Sequence, residues 1–483
     1  MTNNNNLKKY VFLFIILTSH LIIAQQLEKS LLIKFVKNTD VFQVVNESKK
    51  ETLLFFSDKV NVRTIKLNEK FDVSDSITTD RPDRKYDDIV GYSNNNNSYY
   101  TYWMGSNNKE ILAQNFNFDT HSTSSKLIKI DFEKEKTIKT ITVNNIFYMV
   151  NIIKNSSILN FYVFKEGEVE KKTIDLTEKT FLDVENKKTT LWKVLNTTTN
   201  FETSLFIQTI SNDSPPSLTF SAYKRKVYAV DNKLIFTIDT NINFTQTITV
   251  DLSNFNFLTK SYNSPFLIGA DYDITNSNSF LIDEKLIQTK IISTKMIISI
   301  KNLLGTEIKR LEVEGDQEIP FKNSEIIQEN GGVKNTRILD KSNQLIKKIY
   351  NLNPSLSGFY KNNFIYLTIG CVSVQKANNA MLYGGMLGGF TGALIGAAIS
   401  TNYSLQNLNS YKDRKVVYIN CIFDKNFEHI NGDAKKFPFD NVRKFEEENE
   451  NLSIKTIFKL NNTMFFGGAD KKSGEYRIYK FQD

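Results

Sequence analysis

Leu234–Leu252 reads LIFTIDTNINFTQTITVDL: a β-branched and aromatic run, a short polar turn, then a second such run. Ile, Phe, Thr and Val fit the pleated, half-buried surface of a strand, and Asp and Asn supply the turn between two of them. The same layout recurs at Leu127–Val143, Leu159–Leu176, Met296–Val313 and Val416–Ile430, with weaker versions at Leu53–Leu67 and Met464–Phe481. A lone two-stranded hairpin is marginal in water, so its repetition along the chain predicts neighbouring units stacked into one core. About 60 residues per unit gives roughly seven or eight units, within the range of about four to eight blades of a β-propeller. The expected fold class is therefore mainly β, with β-propeller-like repeats of strand pairs and one inserted Gly-rich helix. Irregular spacing and the lack of a recurring Trp-Asp leave stacked sandwiches as the competing architecture.

The composition fits such a core. The 483 residues include 36 Phe and 21 Tyr, and 40% are hydrophobic, which excludes wholesale disorder. About one residue in nine is Asn, a turn-forming type. Only 2 Cys and 3 His are present. That excludes a disulfide-stapled scaffold, an iron–sulfur carrier, a Cys-based zinc site and a multi-histidine centre, so no cofactor or metal is expected. The net charge of +8 comes from 61 basic and 53 acidic residues spread along the chain. Clusters such as Lys224-Arg225-Lys226 and Arg414-Lys415 are short, and blocks of this size read as solvated faces. No dense basic stripe suggests nucleic acid as a partner.

Met1–Ala24 reads as a secretory signal peptide. Lys8 and Lys9 form the positive region, Val11–Leu17 and Leu21–Ile23 the apolar region, and Ala24 the small residue before Gln25. The rest is expected to be exported, to a periplasmic, outer-membrane-associated or extracellular place. The expected organisation is a signal peptide over 1–24, a β-repeat body over 25–375, an excursion over 376–413, and final β repeats over 414–483.

The excursion contains Ala380–Ile399 (AMLYGGMLGGFTGALIGAAI), 20 uncharged residues. As a helix it would span roughly 30 Å, the thickness of a bilayer core. Gly384, Gly388, Gly392 and Gly396 recur every fourth residue and would form one bare ridge, over which a second helix could approach closely. The segment resembles the glycine-zipper stretches of bacterial envelope proteins, and the resemblance implies membrane contact or self-association through residues 380–399. Phe364–Val374 and Lys415–Asp424 flank it as strands, carrying Cys371 and Cys421 respectively. Antiparallel pairing of those strands would make the zipper an excursion from a hairpin, with Cys371 and Cys421 a candidate disulfide.

Little else points to chemistry. Beyond the signal, His121 and His429 follow no nucleophile motif, and no phosphate loop or HExxH is present. The acidic loop Asp80–Asp88 is interleaved with Arg81, Arg84 and Lys85, the pattern of a salt-bridged surface. Asp271-Tyr272-Asp273-Ile274-Thr275 begins like a calcium loop but lacks its glycine and its final glutamate. Tyr99, Tyr100, Tyr102 and Trp103 form an aromatic cluster that could stack on a sugar or peptide, although alternation along a strand sends part of it inward. No catalytic residue is legible. The expected function is an exported non-enzymatic β-rich scaffold that binds protein or glycan at the cell envelope; the alternative is an extracellular carbohydrate-active hydrolase on the same architecture.

Overall fold

Paired asparagines close several of the hairpins. Asn144-Asn145, Asn362-Asn363 and Asn461-Asn462 all hold φ between 49° and 67°. A type I′ two-residue turn, one of the two that match the strand twist, needs φ > 0 at both positions, and asparagine tolerates that region better than most side chains. The residues on either side pair directly, as Val143 with Ile146, Lys361 with Phe364 and Leu460 with Thr463. These six asparagines are thus hairpin chemistry.

The computed structural model describes residues 25–105, 110–211, 214–268, 275–375, 403–470 and 472–482. Strand β1 (Gln25–Leu32) comes first, and four-stranded antiparallel sheets follow in chain order. The first comprises β2 (Asp40–Asn46), β3 (Glu51–Ser57), β4 (Asn61–Leu67) and β5 (Val73–Asp80). The second comprises β6 (Tyr86–Asn95), β7 (Ser98–Gly105), β8 (Glu110–Asn117) and β9 (Ser122–Lys129). The third comprises β10 (Glu135–Val143), β11 (Ile146–Ile153), β12 (Ile158–Lys165) and β13 (Glu168–Asp175). A short pair, β14 (Phe181–Leu182) and β15 (Lys188–Thr189), precedes a five-stranded sheet. That sheet runs β16 (Gln208–Ile210), β17 (Arg225–Val230), β18 (Lys233–Ile238), β19 (Phe244–Asp251) and β20 (Phe257–Asn263), with β16 parallel to β17. Another meander comes next: β21 (Asn276–Ile282), β22 (Lys285–Ile291), β23 (Lys295–Asn302) and β24 (Glu307–Glu314).

The last two sheets depart from simple meanders. One gathers β25 (Ile326–Asn330), β26 (Thr336–Leu339), β27 (Asn353–Lys361), β28 (Phe364–Val372) and β29 (Lys415–Phe423) in the order β26-β25-β29-β28-β27. The other joins β30 (Leu452–Leu460), β31 (Thr463–Asp470) and β32 (Glu475–Phe481) to β1, in the order β1-β32-β31-β30. The chain is mainly β, and its seven sheets of four or more strands among the described residues are the repeat expected of a propeller-type fold.

Two expected hairpins are corrected. Leu127–Val143 is not one, because β9 and β10 belong to different sheets and the turn between them is a connection. In-sheet turns and between-sheet connections are equally short and polar, so the local pattern could not separate them. In Val416–Ile430 only β29 is a strand, and the remainder of that stretch makes a single bridge, from Phe423 to His429. A helix over Ser342–Asn351 also escaped the sequence reading; it buries Leu345, Ile346 and Ile349 on one side. The charged stretch around Asp440 is helical over Pro438–Glu448.

The chain divides into two compact units. One takes residues up to Asp58, Thr64–Asp75 and those from Lys436 on; the other takes Lys59–Arg63 and Ser76–Lys435. In the first, Leu54, Phe56, Phe71, Phe458, Phe465 and Tyr476 build an aromatic core. In the second, separate clusters form: Ile287, Leu345, Leu356 and Phe423 in one, Phe161, Leu191, Val227 and Phe236 in another.

Candidate binding groove

In the first unit, the C-terminal ends of β1 and β31 and the N-terminal ends of β30 and β32 lie at the same end of one antiparallel sheet. There, Leu32–Thr39, which leads from β1 to β2, stands beside Ser453, Ile454, Ala469, Asp470 and Gly474 and encloses a groove of ≈ 920 Å³. Ligand pockets span about 300–1,000 Å³.

Two features shape its walls. The register of β30 against β31 shifts between Ser453 and Thr456, so that a bulge forms there. Ile454 sits in the bulge at φ 51°. A β-branched residue in the left-handed region is strained, and such strain concentrates at functional sites. On the far wall Asp470 is fully engaged. It accepts the Lys472 amide at 2.9 Å and pairs with Arg477 Nη1 at 2.8 Å. The Lys472 amide, with Arg477 beside it, holds the carboxyl below the usual aspartate range.

Leu32–Thr39 alternates. Ile33 is buried and Phe35 half-buried, whereas Leu32, Lys34 and Val36 face outward, with Leu32 87% and Val36 52% exposed. Phe35 is held between Phe56 and Tyr476, at ring separations of 5.3 and 6.0 Å. Among the described residues Lys34 and Lys37 make no ion pair or side-chain hydrogen bond. The local sequence, LLIKFVKN, gives a strand-like alternation but nothing that marks a groove, since the opposite wall comes from residues more than four hundred positions away.

The basic triplet expected on a solvated face is instead interior to the second unit, which corrects that reading. Arg225 and Lys226 are buried. Strand alternation sends Arg225 one way, to Glu202 at 3.0 Å and the carbonyl of Thr203 at 2.7 Å. Lys224 and Lys226 go the other way. Lys226 Nζ donates to Asp239 at 3.0 Å and Asn278 at 2.9 Å; Lys224 Nζ donates to Asn276 at 3.2 Å and to the Ser277 carbonyl. Asp239 also accepts from Thr245 at 2.7 Å and Ser279 at 2.8 Å. Burial pushes the Lys224 ammonium down to about 8. Lys139, donating to the Ile207 carbonyl at 3.0 Å, is likewise pushed down to about 8 by burial.

The aromatic cluster is not a platform. Tyr99, Tyr102 and Trp103, on β7, are 1%, 0% and 2% exposed, and Tyr100 is half-buried. Trp103 Nε1 donates to Thr101 Oγ1 at 3.0 Å and Gln114 Oε1 at 3.1 Å. The Tyr102 ring stacks on Phe147 at 5.3 Å, and burial pushes its hydroxyl up to about 12. Core packing and internal hydrogen bonds claim these faces, so the binding reading of these tyrosines and Trp103 is withdrawn.

The disulfide is also corrected. β28 and β29 do pair antiparallel, but Cys371 lies opposite Val417 and Cys421 opposite Leu367. Four register steps of about 3.3 Å separate them along the strands, well beyond the reach of a disulfide. Both are free, buried thiols, and burial pushes both up. Gly384, Gly388, Gly392 and Gly396, the signal over 1–24 and Asp271–Ile274 lie outside the described residues. His121 sits in a turn at φ 50°, and His429 Nε2 lies 3.1 Å from Asn323 Oδ1. Among the described residues no cluster of His, Cys, Asp or Glu could hold a metal ion, and no helix is long and apolar enough to cross a membrane.

No protein-family model matches the chain, and no curated protein matches it. Among solved structures, a study of two prolyl endopeptidases aligns at TM-score 0.32 and 10% identity, covering 69% of this chain; the chain spans 38% of that protein's length. The WD40 domain of SCAP from fission yeast aligns at TM-score 0.30 and 9% identity, covering 95% of this chain and 97% of that one. The Nup133 β-propeller domain of Vanderwaltozyma polyspora aligns at TM-score 0.28 and 11% identity, covering 70% and 81%. These superpositions are loose, and the fold is read from the order of this chain's own sheets.

Proposed function

We propose that the chain is an exported, non-enzymatic scaffold that binds a protein or glycan at the cell envelope, and that the groove between Leu32–Thr39 and the bulge at Ile454 is where it binds. The groove carries this reading, since it combines volume, exposed aliphatic side chains, unpaired lysines and a strained wall residue in one place. The buried carboxylates favour a scaffold over a hydrolase. Glu135, Asp183, Glu202, Asp239, Glu446 and Asp470 are each tied to a Lys or Arg, and the buried Glu329 accepts from the Tyr418 hydroxyl at 2.8 Å, which fits a structural role. The composition of Met1–Ala24 supports export, and the four-residue glycine spacing supports association or membrane contact through residues 380–399.

A photo-crosslinking residue placed at Val36 is expected to trap a discrete ligand in intact cells, whereas one at the exposed Leu258 of the other unit traps none. Equal labelling at both positions, or none at either, removes the groove from consideration. Fractionation with protease access on both sides of residues 380–399 tests location. Gly388→Leu with Gly392→Leu is expected to weaken membrane association or self-association and leave secretion intact; unchanged fractionation and crosslinking would make the segment internal packing.

A further inference from the structure

We propose that the groove takes an extended acidic segment of a partner protein, docked alongside Ile33–Val36 by strand addition. The proposal rests on the groove being the binding site.

Three observations converge on an extended peptide. The first is backbone supply. β1 ends its pairing with β32 at Leu32, and Ile33–Phe35 then make no backbone hydrogen bond among the described residues. Extended chain with unpaired N–H and C=O groups is a template for another strand. The second is periodicity. The outward side chains run Leu32, Lys34, Val36, that is apolar, cationic, apolar, at the period of two that an extended partner also has. A peptide lying alongside meets them with apolar, acidic and apolar side chains in turn. The third is charge. Asp470 is the only acidic residue lining the groove among the described residues, and Arg477 neutralises it, so Lys34 and Lys37 leave the lining positive.

A sugar is the weaker fit. Its recognition calls for an open aromatic face, and the ring that lines the groove, Phe35, is held by Phe56 and Tyr476.

The test uses the secreted chain and a fluorescein-labelled, end-capped Leu-Thr-Glu-Thr-Leu-Thr peptide, whose Leu, Glu and Leu share one face of an extended strand, followed by anisotropy at concentrations where the peptide is monomeric. Lys34→Glu with Lys37→Glu is expected to weaken binding at least tenfold, and Lys34→Gln with Lys37→Gln to weaken it less. Circular dichroism checks that each variant keeps its fold. N-methylation of alternate amides in the peptide is expected to weaken binding at least tenfold, because it removes the donors that strand addition uses. The same peptide with Lys in place of Glu is expected not to bind. Equal binding of the Lys-containing peptide, or no loss with the Lys→Glu pair, overturns the proposal. If an oligogalacturonate binds in a manner sensitive to the lysines while the acidic peptide does not, the groove stands as a binding site and the peptide proposal fails. If neither probe binds and Val36 traps nothing in cells, both fall.

Discussion

Lys224-Arg225-Lys226 and the pair Lys34 and Lys37 are both short basic stretches in strand-like sequence, and the structure treats them in opposite ways. The triplet is interior, each side chain reaching acids, amides or carbonyls. The pair is outward and, among the described residues, unpartnered. The difference lies in what neighbouring strands bring. Beside β17, the start of β21 supplies Asn276, Ser277 and Asn278, and the end of β18 leads into Asp239. Beside Ile33–Val36 none of the described strands continues the sheet, so the cations have nothing to meet. A buried charge must be paired and hydrogen-bonded, whereas an exposed one need not be. The interior triplet therefore serves the fold, and the pair is left available for a partner.

The sharpest way to break this contrast is Asp239→Ala, which leaves Lys226 buried without its carboxylate. It is expected to cost about 3–5 kcal/mol in urea unfolding. Asp239→Leu combined with Lys226→Met is expected to recover most of that loss, since neither charge then remains. A single-variant cost under about 1 kcal/mol would mean that the pair is not desolvated.

Next in size is a pH effect. Lys224 and Lys139 sit near 8 in the folded chain and near 10.5 unfolded. Between those values the unfolded chain binds the extra proton, so stability rises with pH, by up to about 1.4 kcal/mol per pH unit for each lysine. Unfolding measured from pH 8 to 9.5 is expected to show this rise, and Lys224→Met to flatten part of it. The rise should be read below pH 10, where tyrosines such as Tyr102, raised by burial, begin to act in the opposite sense. An identical slope in wild type and variant would show that Lys224 stays charged.

Ile454→Gly probes the groove wall. Relief of the left-handed strain, about 1–2 kcal/mol, offsets the loss of a half-buried side chain, so the net change is expected within about 1 kcal/mol. A loss well above 2 kcal/mol in the denaturant midpoint would mean that the strain is small. The smallest effect is expected for Lys34→Ala and Lys37→Ala, each within about 0.5 kcal/mol of wild type. A larger cost in thermal unfolding would place these lysines in the fold and remove them from the groove.

Strand content and its repetition were legible, because the period-two pattern and asparagine turns are local properties. The hidden features depend on neighbours distant in sequence. The turn after β9 looks like a hairpin turn and is a connection, since only the partner strand distinguishes the two. Alternation sends only part of the Tyr99–Trp103 cluster inward, yet Tyr99, Tyr102 and Trp103 are all buried: Phe147 of β11 and Phe164 of β12 cover Tyr102 on one face of β7, and on the other Tyr99 meets Phe118 and Arg81 lies over Trp103. The charge triplet reads as solvated because its partners lie on other strands. The groove was illegible for the same reason, with Leu32–Thr39 on one wall and Ser453–Gly474 on the other.

The pairing of β1 with β32, from Gln25 opposite Phe481 to Leu32 opposite Glu475, sets an order of events in the making of the protein. Of the strands described, β1 is the first to leave the ribosome and β32 the last. Until β32 emerges, Leu27 and Leu31 have no sheet to join, and closing so long a loop is a slow, non-local step. The first unit thus finishes after translation, and the wall carrying Lys34 and Lys37 meets Ile454 and Asp470 only then. A secreted chain that lacks residues 475–481 should have the second unit's pairing in place while the groove stays unassembled.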